Sequence, residues 1–169
     1  AEYLRKAAAR QAKIKILIDC TASEAIAKSY EDFARAGFHI VTPNKKANVL
    51  PMKKYQSLRE VLAANNKHFY YDANVGAGLP VIETIKNLLA TGDKIKKIEG
   101  IFSGTLSYLF YIFDGKRKFG ALVAAAKQRG YTEPDPREDL NGMDVGRKLL
   151  ILAREMGQIS ELTDVKLEN

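Results

Sequence analysis

The pattern of apolar and polar positions divides the chain into short apolar runs and longer amphipathic stretches. Apolar residues dominate 14–20 and 38–42, which predicts two buried strands. Between them, Ser23 opens a predicted helix that reaches Ala36 and stops at Gly37. A strand, a helix and a second strand in this order form a right-handed unit with parallel strands. The chain is therefore predicted to be α/β, with a mostly parallel or mixed sheet and flanking helices.

The same criteria predict the remaining elements. We expect helices over 2–12, 52–64, 80–89, 105–113 and 119–128, and strands over 69–73, 95–102 and 162–167. Thr105 could cap its helix or contact a substrate, and capping is the favoured alternative.

The segment 130–148 is the most unusual part of the sequence, because it combines carboxylates, two prolines and a lysine. Asp135 before Pro136 is typical of an N-cap followed by proline at the first helical position. Asn141 can cap a second helix, predicted over 143–156. Apolar residues recur on one face of that helix: Val145, Leu149, Leu152 and Met156.

Asp144 and Lys148 are four residues apart, so they are neighbours on one side of this helix. On spacing alone, a solvated ion pair is the favoured interpretation. However, the pair borders the apolar stripe, and a proline-rich loop is costly to order unless it positions something. A lysine held by a carboxylate in a partly dry cleft can donate a proton, because burial lowers its pKa and the carboxylate opposes that shift.

The loop Thr42–Lys46 follows the second strand. Open α/β sheets bind ligands at the carboxyl ends of their strands, and Thr21 ends the neighbouring strand there. A basic surface turn is the alternative. A second candidate loop contains Gly76 and Gly78, but Val81 replaces the third small residue of a dinucleotide fingerprint. A close-packed turn between a strand and a helix is the simpler interpretation of that loop.

Length and composition fit one globular domain, since the chain has 169 residues and 46% of them are hydrophobic. We expect no membrane-spanning segment and no secretory signal. The single cysteine, Cys20, excludes an intrachain disulfide and fits a reducing compartment, either the cytosol or a plastid stroma. Because it lies in an apolar run, we expect Cys20 to be buried.

The net charge of +7 raises the alternative of nucleic-acid binding. The basic residues are spread along the chain, and neither an aromatic-interleaved RNA motif nor zinc-ligand spacing accompanies them. A dispersed, solvated positive surface is favoured, part of which could serve an anionic cofactor. We therefore expect no nucleic-acid partner.

Four blocks in one order carry a resemblance to a known family. They are Gly130–Lys148, TPNKKAN at 42–48, NVGAGLPVIE at 74–83 and GIFSGT at 100–105. Together they resemble the homoserine dehydrogenases, most closely the type fused to aspartate kinase in plants and bacteria. The resemblance runs from about Ile16 to about Val165.

The resemblance implies reversible reduction of L-aspartate 4-semialdehyde to L-homoserine with NADPH or NADH, a step in threonine, methionine and isoleucine biosynthesis. It implies Lys148 as proton donor, Asp144 as the residue that orients Lys148 and contacts the substrate, and Lys45 as the residue that stabilises the developing alkoxide or orients the nicotinamide. Glu133 would hold the substrate's ammonium group, and Thr105 is the second candidate for a substrate contact. Gly130 would approach the cofactor, Lys46 is the adjacent alternative to Lys45, and the strand topology places Thr21 near the cofactor as well.

A monovalent cation such as sodium is also implied. Its ligands would be the side chain of Asp72 and the backbone carbonyls of Val75, Ala77 and Leu79. Many family members have Glu where this chain has Asp72. The family further implies a homodimer.

The sequence departs from the family at its start, since no G-x-G-x-x-G occurs before Ile14. We expect residues 1–49 to form the C-terminal part of a truncated nucleotide-binding (Rossmann) domain. Residues 50–169 would form the catalytic domain, incomplete at its C-terminus. The alternative hypothesis is a non-catalytic folded or dimerising fragment that keeps substrate-site residues and cannot hold NADPH.

Overall fold

The structure is a computed structural model that describes residues 6, 7, 9, 12–132 and 135–167, without the side chain of Glu138. Most of the helix expected over 2–12 lies outside the described residues. No helix in the described ranges is both long and apolar enough to cross a membrane.

Three parallel strands form the sheet in the order β1 (Lys15–Ile18), β2 (Phe38–Val41) and β3 (Phe69–Tyr70). Leu17 lies opposite Ile40, and Ile40 lies opposite Phe69. This arrangement confirms the predicted α/β class.

The helix predicted from Ser23 to Ala36 is two short helices, α1 (Glu24–Lys28) and α2 (Tyr30–Arg35). The break falls at Ser29, whose hydroxyl donates to the carbonyl of Ile26 at 2.7 Å. A serine hydroxyl that bonds the preceding turn competes with the helical ladder. As a consequence, α2 begins at Tyr30, which is fully buried.

One face of the sheet carries the first core. Its buried members come from α1, α2, β2, the 3₁₀ helix Lys45–Val49 and α3 (Met52–Ala64): Ala27, Tyr30, Ala34, Ile40, Ala47, Leu58 and Leu62. The other face is open, with Ile18 69% exposed. Side chains alternate between faces along a strand, so only every second residue of β1 faces the core. The expectation that Cys20 is buried is therefore wrong, because Cys20 is exposed.

The second half of the chain is helical. It contains α4 (Val81–Ala90), α5 (Gly104–Ile112), α6 (Phe119–Gln128), α7 (Pro136–Leu140) and α8 (Met143–Glu155). Ile82 and Ile85 of α4 pack with Ile151 and Leu152 of α8. Fully burying an aliphatic side chain of this size stabilises the fold by about 1.5–3 kcal/mol. This contact holds α8 against the body of the protein.

Two predicted strands are wrong. Residues 95–102 are irregular, and Ile101 within this segment is 83% exposed. The segment expected at 162–167 contains a 3₁₀ helix, Leu162–Asp164, with a capping box between Glu161 and Asp164. Alternation is a local property, whereas a strand needs a partner to satisfy its backbone groups.

Arg154 connects the two halves. Its buried guanidinium donates to the carbonyls of Asn48 at 2.9 Å and Leu50 at 2.8 Å. It also donates to the carbonyl of Ser160 and the carboxylate of Glu161. The end of α8 is thereby tied to the 3₁₀ helix Lys45–Val49, which follows β2.

Candidate functional site

A cleft of about 510 Å³ lies between the loops after β1 and β2 and the start of α8. Its lining is mostly polar and includes cations and carboxylates: Thr21, Asn44, Lys45, Lys46, Asn141, Asp139, Asp144 and Arg147. The predicted ligand loop and the predicted catalytic helix therefore face each other.

The start of α8 places Asp144 in the lining of the cleft. The N-cap is Gly142 and not Asn141 as predicted, although the side chain of Asn141, one position earlier, accepts a hydrogen bond from the amide of Met143 at 2.9 Å. Gly142 stands at the cap position itself with φ 69°, a left-handed conformation that glycine adopts without strain. Asp144 then falls in the first helical turn, where a negative charge is favoured.

Asp144 pairs with two lysines from different parts of the chain. Its Oδ2 lies 2.7 Å from Lys148 Nζ, one turn further along α8. Its Oδ1 lies 3.2 Å from Lys45 Nζ, on the loop after β2. Burial would raise the pKa of Asp144, but the hydrogen bond from Lys148 and the charge of Lys45 outweigh it and lower the pKa. The carboxylate is thus ionised at neutral pH.

Lys148 has a second partner. Its ammonium donates to the carbonyl of Phe102 at 2.6 Å, and its side chain is 18% exposed. An ammonium group has three N–H donors. With one directed at Asp144 and one at Phe102, the third can serve a bound substrate.

Thr105 does not cap α5, so the favoured alternative for this residue is wrong. Ser103 caps the helix instead, accepting from the amide of Leu106 at 3.1 Å. The Thr105 hydroxyl lies within hydrogen-bond distance of the Tyr131 carbonyl, at 2.9 Å, and of Asp139 Oδ1, at 3.1 Å. Thr105 therefore joins α5 to the segment that precedes α7, next to the cleft.

Only some of the remaining residues predicted to contact substrate or cofactor line the cleft. Thr21 and Lys46 line the cleft beside Lys45. Gly130 follows the C-cap of α6 with φ 72°, and Gly130, Thr105 and Lys148 are not among the residues that line the described cleft. Glu133 lies outside the described residues.

The predicted cation ligands lie in the turn before α4. Asp72 Oδ1 accepts from the amide of Glu83 at 2.9 Å, and the Leu79 carbonyl accepts from the amide of Val81 at 2.8 Å. Within the described ranges, no three His, Cys, Asp or Glu side chains come together as metal ligands. The donor set at this turn is a carboxylate and backbone carbonyls, all of them oxygen, which suits a hard cation.

Sequence reasoning assigned no role to Arg147, Asp139 or Asn44, which also line the cleft. A signal for Arg147 was present, since it lies three residues after Asp144 and hence on the same side of α8. The positions of Asp139 and Asn44 depend on contacts between distant parts of the chain.

Two family models match consecutive parts of the chain. One is described as "Homoserine dehydrogenase, NAD binding domain" and covers residues 3–72. The other is described as "Homoserine dehydrogenase" and covers residues 80–169.

Curated relatives match most of this chain but are longer proteins. The chain is 54% identical over 155 residues to a maize protein, "Bifunctional aspartokinase/homoserine dehydrogenase 2, chloroplastic", which covers 92% of the chain and 17% of that protein. It is 53% identical over 147 residues to the homoserine dehydrogenase of Schizosaccharomyces pombe, covering 84% of the chain and 39% of that protein. The chain therefore spans less than half the length of either relative.

Solved structures show the same fold. The homoserine dehydrogenase of Thermoplasma acidophilum has a TM-score of 0.75 at 29% identity, with 95% of this chain and 50% of that chain covered. A hyperthermophilic archaeal homoserine dehydrogenase in complex with NADPH has a TM-score of 0.75 at 25% identity, with 85% and 44% covered.

Proposed function

We propose that this chain, which belongs to the homoserine dehydrogenase family, carries the substrate-side catalytic centre for interconversion of L-aspartate 4-semialdehyde and L-homoserine with a nicotinamide cofactor. One observation carries the proposal: Asp144, which lines the cleft, is held between Lys45 and Lys148. Reduction of an aldehyde needs a proton donor, positive charge beside the carbonyl oxygen stabilises the developing alkoxide, and this arrangement supplies both.

Lys148 is the proposed proton donor. A bound nicotinamide would supply the hydride that reaches the aldehyde carbon, which leaves the oxygen in need of a proton. Asp144 and the Phe102 carbonyl hold the ammonium of Lys148 from two sides. A donor held in this way needs little reorganisation when the oxygen becomes basic.

Asp144 and Lys45 complete the oxygen-binding arrangement. Asp144 orients Lys148 through the ion pair at 2.7 Å. Lys45 brings a second positive charge from the opposite wall, where it would stabilise the developing alkoxide or orient the nicotinamide. Asp144 would also accept a hydrogen bond from the homoserine hydroxyl.

The substrate's amino-acid end would extend toward the segment before α7. We propose that Glu133 binds the ammonium group, as in the family, because a carboxylate is the natural partner of a primary ammonium. Thr105 lies beside this segment through its contact with the Tyr131 carbonyl and would bind the substrate there.

The proposed cofactor is NADP or NAD. The NAD-binding family model and the NADPH-bound structural relative support a nicotinamide cofactor. Thr21, Lys45 and Lys46 would contact it from the loops after β1 and β2, and Gly130 is proposed from the resemblance. Lys46 adds positive charge, which favours an anionic cofactor.

A monovalent cation such as sodium is a separate proposal. Asp72 would bind it by its side chain, and Val75, Ala77 and Leu79 by their carbonyls. Gly76 has φ 85° and Ala77 has φ 51°, so the turn between these carbonyls is left-handed. The melting temperature should rise with sodium chloride more than with choline chloride at equal ionic strength. Equal responses to the two salts would contradict the proposal.

The assembly of the natural protein is also proposed. We propose fusion to aspartate kinase, because the maize relative is named as a bifunctional protein. The same name supports a plastid location if the protein comes from a plant. A bacterial protein would be cytoplasmic. We propose a homodimer by the same resemblance. Sedimentation equilibrium would test the dimer, and a monomer at all concentrations would contradict it.

The direct test is NADP⁺ reduction with L-homoserine by this chain and by its Lys148→Ala variant at equal folded concentration. We expect turnover by the parent chain that collapses in the variant. Lys94→Ala is the matched control, because Lys94 is an exposed lysine outside the cleft lining. Homoserine binding without turnover would contradict the enzyme proposal for this chain and favour the non-catalytic fragment.

A further inference from the structure

A buried carboxylate lies beneath the cofactor-side loops. Asp19 follows β1 directly and is 3% exposed. It accepts hydrogen bonds from the amide of Thr21 at 2.9 Å, from the Thr21 hydroxyl at 2.7 Å and from Asn44 Nδ2 at 3.0 Å. The Tyr30 hydroxyl, at the start of α2, donates the fourth.

These four donors are neutral, yet they keep Asp19 charged. A buried carboxylate without a hydrogen-bond partner would take up a proton. Burial does act to raise the pKa of Asp19, but the hydrogen bonds from Tyr30, Thr21 and Asn44 outweigh it and lower the pKa below its ordinary value of 3.8. The protein thus maintains a buried anion at the end of the sheet that faces the cleft.

Asn44 connects Asp19 to the backbone of the loop that carries Lys45. Asn44 Nδ2 also donates to the carbonyl of Ser23 at 3.0 Å, and Asn44 Oδ1 accepts from the amide of Lys46 at 3.0 Å. The Thr42 hydroxyl donates to the Asp19 carbonyl at 2.7 Å and accepts from the amide of Asn44 at 2.8 Å. The backbone on both sides of Lys45 is therefore fixed to Asp19.

We infer that Asp19 is a positioning residue, which acts through Asn44 to hold Lys45 within reach of Asp144 and of the substrate oxygen. This inference rests on the proposed function for its catalytic part. Of the four hydrogen bonds that Asp19 accepts, the one from Tyr30 comes from the core beneath the sheet, and the other three come from the two loops of the cleft. The anion lies where the sheet meets the two loops of the cleft, and it orders both of them.

The first test measures the chemical reactivity of the Lys45 amine and does not depend on catalytic activity. Asp19→Asn keeps the shape but replaces one acceptor oxygen with an NH₂ group that faces donors. We expect acetylation of Lys45 by a trace of acetic anhydride, followed by peptide mass spectrometry, to accelerate on the order of tenfold relative to Lys94. Asp32→Asn is the matched control, because Asp32 is an exposed aspartate whose ion-pair partner is Arg35. An unchanged rate at Lys45 in Asp19→Asn would overturn the inference.

The second test is a double-mutant cycle in L-homoserine oxidation. We expect Asp19→Asn to lower kcat by about ten- to a hundredfold, as a misplaced catalytic group does, with KM for L-homoserine changed less than about twofold. With NADP⁺ at saturation, so that a weaker cofactor contact at Thr21 does not lower the rate, Asp19→Asn should lower kcat no further in the Lys45→Ala background, because its effect on kcat passes through Lys45. Effects that multiply would show that Asp19 does not act through Lys45.

A second, milder substitution tests the inference even where Asp19→Asn fails to fold. Tyr30→Phe keeps the ring in the core and removes one donor, so acetylation of Lys45 should accelerate and kcat should fall, each by a smaller factor than in Asp19→Asn. Unchanged Lys45 reactivity in a folded Tyr30→Phe protein would also count against the inference. If the parent chain shows no turnover, the proposed function fails for this chain, while the acetylation rates still decide the role of Asp19.

Discussion

The two walls of the cleft hold their lysines in different ways. Lys148, which lies on α8 with Asp144 but outside the described cleft lining, is held by direct contacts to Asp144 and to the Phe102 carbonyl. Lys45 also pairs with Asp144, and the backbone of its loop is fixed by a network that starts at the buried Asp19. Lys148 is thus fixed by contacts to its own ammonium group, whereas Lys45 also depends on contacts to the backbone around it. Loss of one direct contact leaves the other in place, whereas the network depends on every link.

The largest effect on catalysis is expected from removing Lys148, the proposed proton donor. We expect Lys148→Ala to lower kcat by about 10²- to 10⁴-fold, the usual contribution of a positioned general acid. Lys45→Ala should lower kcat less, because Lys45 only stabilises charge in this scheme. Steady-state kinetics with L-homoserine and NADP⁺ would measure both. A larger loss in Lys45→Ala would assign proton transfer to the other wall.

The contact between the walls can be removed at Arg154. We expect Arg154→Met to destabilise the protein by roughly 3 kcal/mol, since buried carbonyls of Asn48 and Leu50 lose their donor. Urea denaturation followed by circular dichroism would measure the loss. Arg35→Met is the control, because that arginine forms only exposed ion pairs and should cost less than about 0.5 kcal/mol. Equal losses would show that Arg154 does not join the walls.

Low pH should remove stabilising contributions from both sides of the cleft, at Asp19 and at Asp144. The folded-state pKa of Asp19 and of Asp144 is lowered, so each carboxylate stabilises the fold above its ordinary value of 3.8 and loses that contribution as pH falls through the lower folded value. We expect the melting temperature to fall from about pH 5 to about pH 3, less steeply in Asp144→Asn and in Asp19→Asn. Melting curves in this range that match the parent would contradict this account.

The smallest effect is expected outside both walls, at Asp135. Its pKa is lowered to about 2, chiefly by the hydrogen bonds from Arg137, and the pair is exposed. Because solvent screens such pairs, Arg137→Ala should change the melting temperature by less than about 1 °C. A shift of several degrees in a thermal scan would show that this ion pair supports the segment before α8.

Local patterns account for the parts of the fold that sequence reasoning predicted well. The helices 52–64 and 119–128 and the capping residue Asp135 were predicted from spacing and end signals, which are properties of neighbouring residues. The strand expected at 95–102 failed because its alternation does not specify a pairing partner. The boundary at residue 49 stays a prediction.

The same limit applies to the site. Asp144 and Lys148 were predicted as one cluster because helical periodicity places them together. The resemblance brought in Lys45, and the structure puts it against Asp144. Asp19 carried no local signal, since its role depends on Tyr30 and Asn44, which reach it only when the chain folds. Glu133 was predicted from the resemblance alone and lies outside the described residues.

Arg154 anchors the C-terminal end of α8, so a rotation of the helix about that end would move its N-terminal end, which carries Asp144, the furthest. Asp144 precedes Arg154 by ten residues, which at 1.5 Å per residue is about 15 Å along the helix. A rotation of about 10° at the pivot would move the tip by about 2.6 Å over that length, enough to separate Asp144 from Lys45. Such a rotation would open the Asp144–Lys45 ion pair without bending a strand.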